Sequence, residues 1–432
     1  MKTKNRSLPE LSRRSFLQQS LAAGGALMLP QIVPGRVLGL AGGVAPSERI
    51  VMGGIGIGKR GGSDLEVLLY EPDVQFVAVA DVRAERRREI KAMVDQKNES
   101  QDCAMYRDFR DLLARPDIDA VLIAIGDRWH SMAAILAAKA GKDMYCEKPC
   151  STNIADSLAL ADTMRRYGRV YQAGTQRRNV SNFVFAVELA RSGKLGKLRT
   201  VHANIHAPGT KLDWLPAEPQ PDREVCDWDL WLGPCPWRPY NSRYVAGGNG
   251  WRNHFDFHGG GILEWGSHTV DLCQWAADAD QTVPIEYEPT DQGCIARYAN
   301  GVKLVMRDET TGWLGLGTCC VRFEGEEGWV ETGDNGEIRM FPESLRGERT
   351  AQNPVGTHPA GHLREFLDAV KPRALPSANA AVACQSHIAC HAAHVAWQLG
   401  RTLSYDPVKN EFIRDEEANR MRARAKRQPW RI

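Results

Sequence analysis

From residue 49 to residue 174 the chain alternates short apolar runs with longer amphipathic or small-residue stretches. Residues 49–55, 74–80, 120–125, 143–146 and 170–173 read as strands, and 63–70, 85–95, 132–140 and 154–167 as helices. The strands are apolar along almost their whole length, as expected of strands buried on both faces. Strands of that kind separated by helices predict an α/β unit, a doubly wound parallel sheet with helices on either side.

After Gly174 the pattern changes. Residues 200–206, 302–308, 317–324 and 328–332 read as strands, and 361–370 and 380–399 as helices. Between 208 and 261 lies a long irregular stretch holding Trp214, Trp228, Trp231, Trp237 and Trp251. A loop that rich in tryptophan is packed rather than disordered, and loops of such length are usually functional. The expectation is a second α+β domain with a mainly antiparallel sheet. The predicted division is 1–45 leader and linker, 46–174 first domain, 175–385 second domain, and 386–432 C-terminal helix and tail. The basic run Arg420, Arg422, Arg424, Lys426 and Arg427 reads as a solvated helix face.

The leader has its own signature. Ser12-Arg13-Arg14-Ser15-Phe16-Leu17 is a twin-arginine pattern after a basic start, followed by a modest apolar run over 21–33. This is an address for export of a folded protein, and the run is too short and glycine-rich for a membrane span. The expected location is periplasmic. The 11 cysteines form no CxxC pair, so a disulfide scaffold is not expected. At 432 residues, two domains are the prior. A net charge of +2 speaks against nucleic acid as a partner.

Gly56-Ile57-Gly58-Lys59-Arg60-Gly61 follows the first strand and opens a helix. It fits the G-x-G-x-x-G fingerprint of a Rossmann dinucleotide site. Gly56 serves the tight turn, Gly58 the approach of a pyrophosphate, and Gly61 the close packing of helix on strand. Asp81 ends the second strand, 20 residues past Gly61, where an acid holds the ribose hydroxyls. Asp81 favours NAD, and Arg83 leaves NADP open.

Four further segments are distinctive. They are Ala124-Ile125-Gly126-Asp127-Arg128-Trp129-His130, Cys146-Glu147-Lys148-Pro149, Gly174-Thr175-Gln176-Arg177-Arg178, and the run from Gly259-Gly260-Gly261 through Glu264 and His268 to Asp271. Together these resemble the glucose-fructose oxidoreductase, inositol dehydrogenase and rhizopine catabolism (Gfo/Idh/MocA) family from residue 49 to the C-terminus. The resemblance implies a Rossmann domain followed by a C-terminal domain with an open sheet, and a homo-oligomer. It implies Lys148 as the active-site lysine and His268 as the catalytic histidine. Glu264 stands where many members carry Asp. The implied cofactor contacts add Lys59, Arg60, Ile125, His130, Glu147, Lys148 and Gln176. Arg178, Trp251, His258 and Asp271 are the candidate substrate contacts.

Oxidation of a secondary hydroxyl needs a base for the proton and an acceptor for the hydride. His268 suits the first role and the nicotinamide the second. Lys148 suits stabilisation of alkoxide charge. On a helix Glu264, His268 and Asp271 share one face; Glu264 is then placed to pair with Lys148 or orient hydroxyls, and Asp271 to hold the imidazole tautomer. The periplasm holds no free nicotinamide pool, so the cofactor is expected to be tightly bound; the family resemblance implies a sugar or polyol as the substrate. The alternative is a glycosidase acting by transient oxidation and elimination, with His258 as the extra base. His387, His391 and His394 at i, i+4 and i+7 read as packing rather than as a metal site.

Overall fold

The alternation of apolar strands and helices folds as its pattern dictates. In a computed structural model describing residues 44–206, 209–252, 254–308, 313–347 and 359–430, the first sheet contains β1 (Ile50–Ile55), β2 (Val74–Ala80), β3 (Ala104–Tyr106), β4 (Ala120–Ile123), β5 (Asp143–Cys146) and β6 (Tyr171–Ala173). All are parallel, in the order β3-β2-β1-β4-β5-β6. The intervening helices are α1 (Lys59–Tyr70), α2 (Ala84–Asn98), α3 (Phe109–Leu113), α4 (Asp127–Lys139) and α5 (Ile154–Tyr167). The order reverses between β1 and β4, and ligands of such sheets sit at that switch point, beyond the carboxyl ends of the strands. The unit Ile50–Ile432 holds this sheet and the second one.

Among the described residues the second sheet has nine strands. Its members are β7 (Leu198–Ile205), β8 (Glu286–Thr290), β9 (Gly293–Arg297), β10 (Lys303–Asp308), β11 (Val321–Gly325), β12 (Trp329–Thr332), β13 (Ile338–Phe341), β14 (Leu403–Asp406) and β15 (Glu411–Phe412). The order is β13-β12-β11-β7-β10-β9-β8-β14-β15, antiparallel except for the β7–β10 pair. The remaining helices are α6 (Ser181–Arg191), the short α7 (Trp228–Leu232), α8 (Ser242–Val245) and α9 (Gly248–Trp251), then α10 (Gly261–Ala276), α11 (Ala360–Val370), which packs on the first sheet's core through Leu363, Phe366 and Leu367, α12 (Ala380–Leu399) and α13 (Glu416–Arg420). One sheet face is covered by α6, α10 and α12 through Phe183, Val187, Ile262, Val270, Ile388 and Val395. The fold class is therefore as the sequence predicts, with an open, mainly antiparallel second sheet.

Several boundaries move for local reasons. α4 begins at Asp127, five residues before the predicted 132, because Gly126 (φ 105°) caps it. Arg128, Trp129 and His130 thus lie on its first turn. The strand predicted at 317–324 starts only at Val321, since Gly317 and Cys319 have φ of 85° and 53°. α12 runs unbroken across the predicted division at 385, and the tail adds β14 and β15 to the second sheet.

Arg420 is solvent-exposed, but the rest of the basic run is not a solvated face. Arg424 donates to the carbonyls of Phe255 and His258, Lys426 pairs with Asp156, and the Arg427 backbone N–H donates to Pro234 O (2.9 Å). Trp430 packs edge-on against Trp129, with centroids 4.7 Å apart. The run is stitched into the first domain and the loop region. All 11 cysteines are free and buried. No helix among the described residues is long and apolar enough to cross a membrane. The twin-arginine segment and its apolar run lie outside the described residues.

Candidate active site

A cavity of about 1300 Å³ opens at the carboxyl ends of β1, β2, β4 and β5 and runs across to the second sheet. Its first end is built by the glycine turn after β1. Gly56 has φ 67°, and a Cβ there would meet Ile125 Cα at 2.6 Å; any side chain would break the contact between the two loops. Gly58 lines the cavity and a Cβ there would meet nothing within 4 Å. That open cradle before the free N–H groups of α1 fits a pyrophosphate. Lys59, Arg60, Asp81, Ile125, His130, Glu147, Lys148 and Gln176 all line the same cavity. His130 accepts from the Gly126 N–H at Nε2 (3.2 Å), and its Nδ1 lies 2.7 Å from Pro149 O; this joins the α4 turn to the Glu-Lys-Pro turn.

Beneath the glycine turn is a group the sequence reading missed. Asp64, on α1, is fully buried. Arg60 Nη2 lies 2.8 Å from it, and Arg60 Nε donates to Glu147 Oε1 (3.0 Å). Gln176 donates to that same oxygen (2.7 Å). Burial and the neighbouring Glu147 carboxylate push Asp64 up to about 9, whereas Arg60 and Lys148 overcome burial and hold Glu147 low. One proton is thus kept on Asp64 at neutral pH. In the unfolded chain both carboxyls are ionised above about pH 4.5, so the folded state binds the extra proton and stability falls as pH rises toward 9. Asp64→Asn imitates the protonated form. In urea titrations the variant should gain on the wild type by about 1 kcal/mol per pH unit between pH 5 and 8. Parallel stability curves would show that no proton is retained.

The other end of the cavity holds the candidate chemistry. Lys148 Nζ donates to Glu264 O (2.8 Å) and lies 3.6 Å from Glu264 Oε1. Arg252 approaches the same oxygen at 3.3 Å, and His258 Nε2 lies 3.3 Å from Oε2. Burial opposes the charge on Glu264, but Lys148, His258 and Arg252 outweigh it and hold the carboxyl far below its ordinary range. Glu264 and His268 both line the cavity, one turn apart on α10. His268 is buried, and its Nε2 accepts from Arg177 Nη1 (2.9 Å). Burial first, then the positive charges of Arg177, Lys148 and Arg60, hold the imidazole well below its usual pKa. It is neutral throughout the physiological range.

The candidate substrate contacts divide. Trp251 lines the cavity, 5.7 Å from the Arg128 guanidinium carbon. His258 does not line it; it sits behind Glu264, with Asp127 Oδ2 at 3.6 Å on its other side. Arg178 and Asp271 are also outside. Arg178 donates to both Asp271 oxygens (2.6 and 2.9 Å) and to Asp280 (2.8 Å), and Ser386 donates to Asp271 Oδ1 (2.8 Å). Asp271 therefore does not orient His268. Being three residues on, it is turned toward α12, and its charge is spent on Arg178. Arg177, Asp334 and Thr318 line the cavity and carried no assigned role in the sequence reading, while Arg252, which the sequence groups with Trp251 as suited to a sugar ring, lines it too.

Two of the three histidines of α12 are hydrogen-bonded within the fold, and the third, His394, is packed with both ring nitrogens unpartnered among the described residues. Cys150 N–H donates to His387 Nε2 (3.0 Å), His391 Nε2 lies 3.0 Å from Ser151 Oγ, and His394 stacks on Trp397. Trp228, Trp231, Tyr244 and Phe257 form a separate small core in the aromatic loop.

Residues 49–175 match the model for the NAD-binding Rossmann fold of the oxidoreductase family, and residues 210–432 match its C-terminal alpha/beta domain. The chain belongs to the Gfo/Idh/MocA family. Among curated relatives, myo-inositol 2-dehydrogenase of Thermotoga maritima is 33% identical over 157 residues, 36% of this chain and 45% of that protein. A glycosyl hydrolase family 109 protein of Saccharopolyspora erythraea is 33% identical over 181 residues, 38% of this chain and 39% of that one. The chain thus spans less than half the length of the curated relatives it matches. The aldose-aldose oxidoreductase of Caulobacter crescentus shares the family fold, with TM-score 0.59 and 18% identity over 82% of this chain and 99% of that one. The chain thus carries the family's NAD-binding domain, with the cavity at its switch point.

Proposed function

We propose that this oxidoreductase transfers a hydride between a tightly held nicotinamide and a secondary hydroxyl of a sugar or polyol, in the periplasm, as a homo-oligomer. The observation that carries the reading is the convergence of Lys148, Glu264 and His268 at one end of a cavity whose other end is the Gly56-to-Gly61 turn and Asp81. A bound nicotinamide supplies the hydride acceptor. Lys148 holds an N–H at the reacting oxygen and stabilises negative charge there. Glu264, fixed by three cationic or imidazole partners, orients neighbouring hydroxyls. His268, neutral, takes the hydroxyl proton at Nε2.

Tight retention is supported by the aromatic loop. Arg83 donates to Val245 O (2.9 Å), Ala84 N–H to Val225 O (3.0 Å), and Asp227 N–H to Val82 O (3.1 Å). The loop is thereby tied to the end of β2, and Val245, Gly247, Gly248 and Trp251 line the cavity. Elimination from a glycoside would need a second base at the substrate, and His258, its candidate, is walled off behind Glu264.

The test is to purify the protein from the periplasmic fraction without added cofactor and follow the near-ultraviolet absorbance of reduced nicotinamide. A free sugar or polyol should raise it, and a second sugar or a lactone should bleach it. Cleavage of aryl glycosides with no lasting reduced nicotinamide would replace this reading by the glycosidase one. A protein without nicotinamide, or absent from the periplasm, would sink the corresponding part.

A further inference from the structure

A neutral imidazole can act as a base only at the nitrogen that lacks the proton, so its tautomer decides which way it works. In many sites a carboxylate or carbonyl on one nitrogen makes that choice. Around His268 the arrangement is different. Nδ1 is buried with no hydrogen-bond partner among the described residues. Asp271, the nearest acid toward the C-terminus of the same helix, is engaged by Arg178 and Ser386. Nothing on the Nδ1 side selects a tautomer.

The selection comes from the other side. A guanidinium only donates, so the nitrogen that receives Arg177 Nη1 at 2.9 Å carries a lone pair. The proton must then reside on Nδ1. Arg177 is itself fixed: Nε and Nη2 donate to the two oxygens of Asp334 (3.1 and 2.7 Å), and Thr318 Oγ1 donates to Asp334 Oδ2 (2.6 Å). Such a fork-to-fork pair leaves Nη1 little freedom. Arg177 follows β6, Asp334 follows β12, and His268 lies on α10; both sheets therefore contribute to the arrangement.

We propose that Arg177 is the positioning residue that holds His268 as the Nδ1-protonated tautomer, with Nε2 as the acceptor nitrogen at the cavity. The inference rests on the proposed function only for the use made of Nε2; the tautomer itself stands on geometry. Proton transfer from a substrate hydroxyl to Nε2 therefore requires Nη1 to swing off the lone pair as the substrate binds, against the hold of Asp334.

The charged and titratable groups around the ring are few. Arg177, Lys148, Arg60 and His362 act on it. Asp334 stands behind Arg177, and Glu264 and Asp271 lie on its own helix. On β7, which packs against α10, His202 pairs with Glu324 (3.3 Å) and the neighbouring His206 stacks on Trp265. On α12, His387 and His391 are bonded to Cys150 and Ser151. Burial remains after Arg177 is removed, so its loss should change the tautomer more completely than it changes the protonation midpoint.

Nitrogen-15 spectra of the histidines in the protein as purified read the tautomer directly, with His268 assigned by its absence in His268→Asn. The wild type should show Nδ1–H and an unprotonated Nε2 at neutral pH. Arg177→Met should shift the ring to the Nε2–H form and raise its protonation midpoint by about one pH unit. Arg177→Lys, which retains a donor, should restore the wild-type pattern. Where Arg177→Met fails to fold, Asp334→Asn loosens the same clamp and should move the tautomer in the same direction. An Nε2–H tautomer in the wild type, or identical spectra in the Arg177 and Asp334 variants, overturns the proposal. Failure of every sugar to turn over with these spectra intact would count against the proposed function and not against the role of Arg177.

Discussion

Lys148→Met should lower kcat/KM by roughly 100- to 1000-fold, the loss typical when one donor to a developing oxyanion is removed. The loss should fall on kcat, because the ammonium acts on charge that exists mainly in the transition state. Lys148 Nζ is anchored by the carbonyl of Glu264 at 2.8 Å, so its donor direction is preset rather than acquired on binding. Glu264 would also feel the change. Without Lys148 its buried carboxylate retains Arg252 at 3.3 Å and His258 at 3.3 Å, enough to keep it charged and in place. Methionine fills the space of the lysine stem, so the thermal midpoint and the nicotinamide content should change little. Steady-state rates with the best sugar, together with a melting curve and a cofactor spectrum, check all three. An unchanged kcat would remove Lys148 from the chemistry.

What was legible in the chain was whatever depends on backbone pattern or on a single tight turn. The parallel sheet followed from apolar strands such as 120–125, and the cofactor end followed from Gly56, Gly58 and Asp81, whose roles are set by local geometry. The pairing of Lys148 with Glu264 was within reach because both lie beside strong motifs. Strands β3, β8, β9, β13, β14 and β15 escaped notice because they are short or polar and gain their stability from neighbours in the sheet. Side-chain direction was the hardest to read. Helical spacing places Glu264, His268 and Asp271 near one face, yet a turn of that face sends the first two into the cavity and the third into Arg178. Asp64 carried a weak signal, three residues past Gly61 on the helix that packs under the turn. Asp334 carried none, since its meeting with Arg177 joins two distant loops. The basic tail misled for a related reason: charge alone does not distinguish a solvated arginine from one such as Arg424, whose partners are backbone carbonyls 166 and 169 residues away.

Asp271→Asn should separate structure from chemistry at this helix. The Arg178–Asp271 pair is nearly inaccessible on both sides, with side-chain exposures of 2% and 1%. Removing one partner of a buried pair leaves an uncompensated charge, at a cost of about 3–5 kcal/mol. Asp280 remains within 2.8 Å of Arg178 and is itself one-quarter exposed, so the loss should fall toward the lower end, about 3 kcal/mol. Ser386 also loses its charged acceptor, which loosens the packing of α10 on α12. Urea denaturation should therefore show a lower midpoint with an unchanged slope. Neither member of the pair lines the cavity, so kcat/KM of the folded protein should stay close to the wild-type value. The opposite result, full stability with activity lost, would return Asp271 to the substrate and would mean that α10 turns its face differently when the site is filled.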